Sequence, residues 1–170
     1  DQLVEMAKAV RPFGGIYFTH IRTEGEGIQD AVAEAINVGK RAGVPVDIIH
    51  LKIADRRLWG KMVDVCNQIE QAQKDGLKIG ANQYPYIAGQ NDLVALVPPW
   101  AMEGGRDAML RRLDDRQARE RMAKDIYQGI PGWFNHYLAM GDWSGCMIAS
   151  ASQPQNRGFQ GMTVAKVAEQ

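Results

Sequence analysis

The chain carries no net charge, its 20 acidic side chains balancing 20 basic ones over 170 residues. That balance leaves no electrostatic footprint for nucleic acid or for an anionic membrane surface. No run approaches the roughly 18 apolar residues of a membrane helix, and no signal peptide opens the sequence. There are only two cysteines, Cys66 and Cys146, too few for a disulfide framework. They read as small buried hydrophobes in a reducing, cytoplasmic setting. Low-complexity tracts are absent. Gly25-Glu26-Gly27 lacks the third glycine of a dinucleotide-binding loop and is acidic, which argues against that reading.

What is present is a rhythm of strands and helices. Residues 44–52 read as a short buried strand, with β-branched Val46, Ile48 and Ile49 entered through Gly43 and Pro45. This strand delivers His50 and then Lys52, which alternation sets on the same side, about 6–7 Å further along. Residues 15–22 repeat the pattern with His20 and Arg22. Between them, 28–42 is an amphipathic helix with Ile28, Ala31, Val32, Ala35, Ile36 and Ala42 on one stripe and Gly43 as its stop. A second helix at about 58–74 carries Leu58, Met62, Val65, Cys66, Ile69 and Ala72, and a third strand spans 77–84. This alternation predicts an α/β fold of parallel strands joined by right-handed crossovers. A helix at 2–10 precedes it. Helices are expected at 106–113 and at 115–128, the latter with Ala118, Met122 and Ile126 inward, and a short strand at 146–149. A last helix starts near 162. Residues 1–100 form the strand–helix segment and 101–170 a mainly helical or irregular extension of the same domain.

Of the three histidines, His20 and His50 sit at equivalent C-terminal strand ends, the edge where parallel α/β folds place ligands and catalytic groups. Imidazole is the commonest metal ligand at neutral pH, so this pair is expected to bind a metal such as zinc. His136, between Asn135 and Tyr137 in an irregular stretch, reads as structural. Two histidines do not complete a zinc site, which takes three or four protein ligands. Lys52 and Arg22 on the same rim are either surface charges or holders of an anionic substrate group. Tyr84 and Tyr86, bracketing Pro85, fit substrate contact. Glu24, Glu26 and Asp55 are rim carboxylates that no spacing marks as a general base.

These residues together resemble the N-acyl-D-amino-acid deacylases (D-aminoacylases) of the amidohydrolase superfamily. The resemblance lies in Gly-Gly-Ile-Tyr-Phe-Thr-His-Ile-Arg at 14–22, Gly43-Val44-Pro45-Val46 leading to His50-Leu51-Lys52, and Trp59-Gly60-Lys61. It continues in Asn82-Gln83-Tyr84-Pro85-Tyr86-Ile87-Ala88-Gly89, Pro98-Pro99-Trp100-Ala101 and Glu103-Gly104-Gly105. It implies a partial (β/α)8 TIM barrel, about strands 5–7, with His20 and His50 ending the fifth and sixth strands as metal ligands. It also implies one or two zinc ions in the intact enzyme, and Lys52 and Tyr84 gripping the substrate's α-carboxylate. The implied reaction is hydrolysis of an N-acyl-D-amino acid by metal-activated hydroxide, with an eighth-strand aspartate moving the proton. Asn82 stands where an aspartate is expected, and Gln90 and Asn91 where small hydroxyl residues are. The first-strand His-x-His, the bridging cysteine or carboxylate and the eighth-strand aspartate have no counterpart, so no catalytic base is expected here. The expectation is an internal fragment, inactive alone, that self-associates through open sheet edges. Two alternatives stand beside it: a cyclic-amide hydrolase of the hydantoinase or dihydropyrimidinase kind, and a non-catalytic α/β fragment.

Overall fold

Three parallel strands, β1 (Tyr17–Thr19), β2 (Val46–Ile48) and β3 (Ile79–Ala81), lie side by side in that order in the computed structural model, which describes residues 2–170. Tyr17 pairs with Val46 and Val46 with Ile79, so each strand is in register with the next. α1 (Gln2–Val10) precedes the sheet, and α2 (Ile28–Ala42) and α3 (Met62–Lys74) make the two crossovers. The chain divides into two units, one ending at Gly89 and one spanning Gln90–Gln170.

Hydrophobic burial fixes the first unit. Ile28, Ala31, Val32 and Ala35 of α2 share one cluster with Val65, Ile69 and Ala72 of α3 and with Val46, Ile48 and Ile79 of the sheet. Both crossover helices therefore cover the same face. A second cluster joins Val4 and Ala7 of α1 to Val38, Ala42 and Val44. Gly39 allows α2 to lie this close: a Cβ there would come within 2.2 Å of Val46 Cγ2. Gly43 ends the helix in the left-handed conformation (φ 70°), its N–H donating to the Gly39 carbonyl at 2.9 Å.

Among the described residues of the first unit, no helix covers the other face of the sheet. Its central row runs Phe18, Asp47, Gly80 in register, and Phe18 is 58% exposed. This one-sided layering follows from the sequence, since only the Val46, Ile48 and Ile79 row offers a continuous apolar surface.

Several expectations are corrected. The strands are three residues long rather than eight or nine, because the ladder stops where the chain turns at residues 49–50. Residues 56–58 form a separate 3-10 turn, so α3 starts at Met62. Cys66 is exposed, one position off the Val65–Ile69–Ala72 stripe, and Cys146 is only half-buried; burial still pushes the Cys146 thiol up from its ordinary value.

The second unit is built from short helices held by side-chain caps. α4 (Pro99–Met102) is tied to α5 (Arg106–Asp114) by Arg112 Nη1, which donates to the carbonyls of Ala101 at 2.8 Å and Glu103 at 2.5 Å. Asp115 caps α6 (Arg116–Gln128), where Met122 is buried and Ala118 and Ile126 are half-buried. Buried Asn135 caps α7 (His136–Met140) and donates to the Ile126 carbonyl at 2.8 Å. Within α7, His136 packs edge-on against Phe134, ring centroids 4.8 Å apart. The strand expected at 146–149 reduces to an isolated antiparallel bridge between Met147 and Thr163, after which α8 (Val164–Ala168) closes the chain. Among the described residues, no helix is long and apolar enough to cross a membrane.

Candidate metal centre

The two strand-end histidines meet. His20 Nδ1 lies 2.8 Å from His50 Nε2, and the rings stand edge to face with centroids 4.6 Å apart. His20 follows β1 directly, whereas His50 stands two residues beyond β2 in a left-handed conformation (φ 41°). That conformation is unfavourable for a side chain with a Cβ, and such strain clusters at functional sites. Hydrogen bonds on both sides hold it. The His50 N–H donates to Asn82 Oδ1 at 2.9 Å, Leu51 N–H to the Asn82 carbonyl at 2.8 Å, and Ile49 N–H to the Thr19 carbonyl at 3.0 Å. Asn82 therefore works through its side-chain oxygen, an acceptor that an aspartate in the same place would also supply.

Glu24 completes the cluster; the sequence places it among the rim carboxylates but marks it for no particular role. It stands in the loop after β1, its carbonyl accepting from Ala54 N–H at 2.9 Å, which zips the loops after β1 and β2 together. Its Oε1 lies 3.0 Å from His50 Nδ1 and 2.5 Å from Lys52 Nζ. His20, Glu24 and His50 offer ligand atoms within 4.8 Å of one another. The signal was faint: a single carboxylate four residues past a strand-end histidine, in a loop of Thr, Glu and Gly with no periodicity.

Lys52 folds back instead of reaching along a strand. Its ammonium is 3.3 Å from the His50 carbonyl and 3.4 Å from His50 Nδ1, because the turn at His50 ends the extended geometry on which a 6–7 Å offset depends. Nζ also sits 5.5 Å over the Tyr84 ring. Tyr86 stacks on Tyr84, centroids 6.3 Å apart, and is 74% exposed. A Cβ on Gly89 would come within 3.3 Å of Tyr84 Oη, so a glycine there suits the close approach of the hydroxyl.

Arg22 is not brought into this group. It forms a two-pronged pair with Glu34 of α2, Nε to Oε2 at 3.0 Å and Nη2 to Oε1 at 2.7 Å. The pairing raises the guanidinium further and holds the Glu34 carboxyl below the usual range. Buried Asp55 is likewise engaged: it accepts from Arg57 N–H, Nε and Nη2 as the cap of the 3-10 turn, and the Arg57 hydrogen bonds lower its carboxyl.

The donor set fits zinc. Two imidazoles with converging nitrogens are residue types that zinc takes, and a carboxylate lies beside them. A tetrahedral ion would hold the two nitrogens about 3.3 Å apart, a small opening from 2.8 Å. Among the described residues, no further histidine or cysteine joins the cluster.

No family model matches the chain. Over 95 residues, 55% of its length, it is 34% identical to the D-aminoacylase of Alcaligenes xylosoxydans xylosoxydans. Over 93 residues it is 29% identical to the N-acyl-D-glutamate deacylase of the same organism. The chain spans about a fifth of each of these relatives, 19% in both cases. Among solved structures it resembles a D-aminoacylase studied for the functional role of its binuclear metal centre, with TM-score 0.51 and 25% identity. That match covers 72% of this chain and 28% of the other. The resemblance read from the motifs is thus borne out over about half of the chain.

Proposed function

We propose that this chain is a segment of a zinc-dependent N-acyl-D-amino-acid deacylase, its three strands forming about the fifth to seventh of a (β/α)8 barrel. The observation that carries the reading is the meeting of His20 Nδ1 and His50 Nε2, 2.8 Å apart at the C-terminal ends of adjacent parallel strands. Helices on one face of the sheet support the barrel, because a doubly wound sheet would need them on both.

His20 and His50 would hold the zinc. Bound there, the ion supplies Lewis-acid polarisation of the scissile amide carbonyl. Lys52 offers its ammonium to the α-carboxylate of the substrate, with the Tyr84 hydroxyl beside it and the exposed Tyr86 ring bordering the entrance. Arg22 would serve the substrate only by giving up its two-pronged pair with Glu34. The group that moves the proton lies outside this stretch, so the chain alone has no turnover. A small N-acyl-D-amino acid is the partner and the cytoplasm the setting.

Titration calorimetry with zinc tests the centre: wild type binds, and a His20→Ala/His50→Ala double variant does not. The activity is tested in a D-aminoacylase whose corresponding stretch is replaced by the 95 matched residues. Zinc-dependent release of D-amino acids from their N-acetyl derivatives is expected. A folded, zinc-loaded chimera without that turnover would overturn the assignment.

A further inference from the structure

Glu24 touches both a candidate metal ligand and the candidate carboxylate reader. We infer that Glu24 is a positioning residue. Its carboxylate accepts the Nδ1 proton of His50 and thereby leaves Nε2 as the bare nitrogen that faces a metal. This rests on the reading of His20 and His50 as ligands and concerns what makes one of them competent.

An imidazole binds a metal only through a nitrogen without a proton, and the neutral ring carries its proton on one side or the other. In the structure the two nitrogens of His50 face different partners. Nε2 meets His20 Nδ1 at 2.8 Å, and Nδ1 meets Glu24 Oε1 at 3.0 Å. A carboxylate can only accept, so a hydrogen bond across this 3.0 Å contact places the proton on Nδ1 and frees Nε2. Glu24 is therefore placed to orient His50, not to ligate beside it, since its oxygen lies at the ring nitrogen that does not meet His20.

Lys52 supplies the competing arrangement. Its ammonium can only donate, and it stands 3.4 Å from His50 Nδ1. Were it to donate there, the ring proton would move to Nε2 and cover the metal-facing lone pair. Glu24 competes for the ammonium at 2.5 Å, much closer than Nδ1 at 3.4 Å, with the His50 carbonyl at 3.3 Å as a further acceptor. One carboxylate thus favours the Nδ1 proton twice, by accepting from Nδ1 and by drawing toward itself the group that would reverse it. Carboxylates that orient metal-bound histidines in this way typically govern metal affinity by about 10- to 100-fold.

The test uses the whole chain, metal-free, at about pH 8, where an ordinary imidazole is neutral. Long-range 15N NMR of the imidazoles reads the tautomer directly. Wild-type His50 is expected as Nδ1–H. Glu24→Ala should convert it to Nε2–H, while Glu24→Gln, which keeps an acceptor of the same reach, should retain Nδ1–H. Zinc calorimetry on the same samples should show Glu24→Ala weaker by about 10- to 100-fold, with circular dichroism confirming the fold. An Nε2–H tautomer in wild type, or Nδ1–H persisting in Glu24→Ala, overturns the inference. A loss of zinc affinity with the tautomer unchanged also overturns it, because Glu24 would then be a ligand. Failure of the metal reading has a separate signature, equal zinc titration of wild type and the His20→Ala/His50→Ala variant. In that event the tautomer still decides what Glu24 does to the ring.

Discussion

Replacing Lys52 by methionine separates reading of the substrate from holding of the metal. Methionine keeps the length and apolar stem of the side chain while removing the ammonium. A charge-assisted hydrogen bond to a carboxylate contributes on the order of 1.5–3 kcal/mol, or about 10- to 100-fold in kcat/KM. The lower end applies here. Lys52 Nζ already lies 2.5 Å from Glu24, so a substrate carboxylate competes with an existing partner and gains only the difference. In the chimeric deacylase, Lys52→Met should lose about tenfold in kcat/KM on N-acetyl-D-amino acids. The matching carboxamides, which have no charge to read, should change little. Zinc content should persist, because Glu24 remains on His50 Nδ1. Steady-state kinetics on the acid and amide pair decides the matter. An equal loss on both would mean that Lys52 supports the loop and does not recognise the carboxylate.

Ile48 is wholly buried between α2 and α3, and Ile48→Ala should cost the first unit about 2–5 kcal/mol in urea unfolding; a loss under 1 kcal/mol would deny its place in the core. Asp55→Asn should destabilise by about 1.5–3 kcal/mol at pH 7, since Arg57 loses the buried carboxylate that accepts its charge-assisted hydrogen bonds. The folded carboxyl of Asp55 is lowered, so its contribution is present above the unfolded value near 3.9 and fades as pH falls through the folded one. Wild type and variant should therefore draw together in stability as pH falls below the unfolded value, and a gap that stays constant through acid titration would refute the pairing. The unpaired edges of β1 and β3 and the exposed Phe18 should make the chain self-associate at micromolar concentration. Sedimentation velocity reads this, and a monomer across that range would count against it.

The helix at 28–42 was legible to the residue, because its apolar stripe and Gly43 are local signals that tertiary contacts reinforce. The order of parallel strands followed from the same rhythm. Their length did not, since Ile21, Leu51 and Ile53 continue the apolar runs yet serve the core from loops. Strand alternation put His20 and Arg22 on one side, but β1 ends at Thr19 and Arg22 turns to Glu34. Glu24 was hidden for a related reason: its partners come from a loop 26 to 28 residues away, and nothing in a polar loop announces such a pairing. In the second unit, order comes from capping side chains such as Asp115 and Asn135, which leave no period to read.

The unusual backbone of His50 has a reason in the sheet itself. Along β1 the side chains alternate: Tyr17 toward the helices, Phe18 toward the bare face, Thr19 toward the helices. His20 therefore falls on the bare side. Along β2, Val46 and Ile48 face the helices and Asp47 the bare side. Continued alternation would send His50 into the helix layer with Ile48, away from His20. The register forbids any repair by sliding, since Thr19 pairs with Ile48 and a slip by one residue would expose Val46 and Ile48. The chain instead turns at residues 49–50, with φ of 41° at His50, which brings Nε2 round to His20. A strained conformation of this kind costs on the order of 1–3 kcal/mol, offset in part by the bonds from His50 and Leu51 N–H to Asn82. One of its effects is to bring two imidazoles from adjacent strands to a single point, on the side of the sheet that carries Phe18, Asp47 and Gly80 and not the helix-covered side.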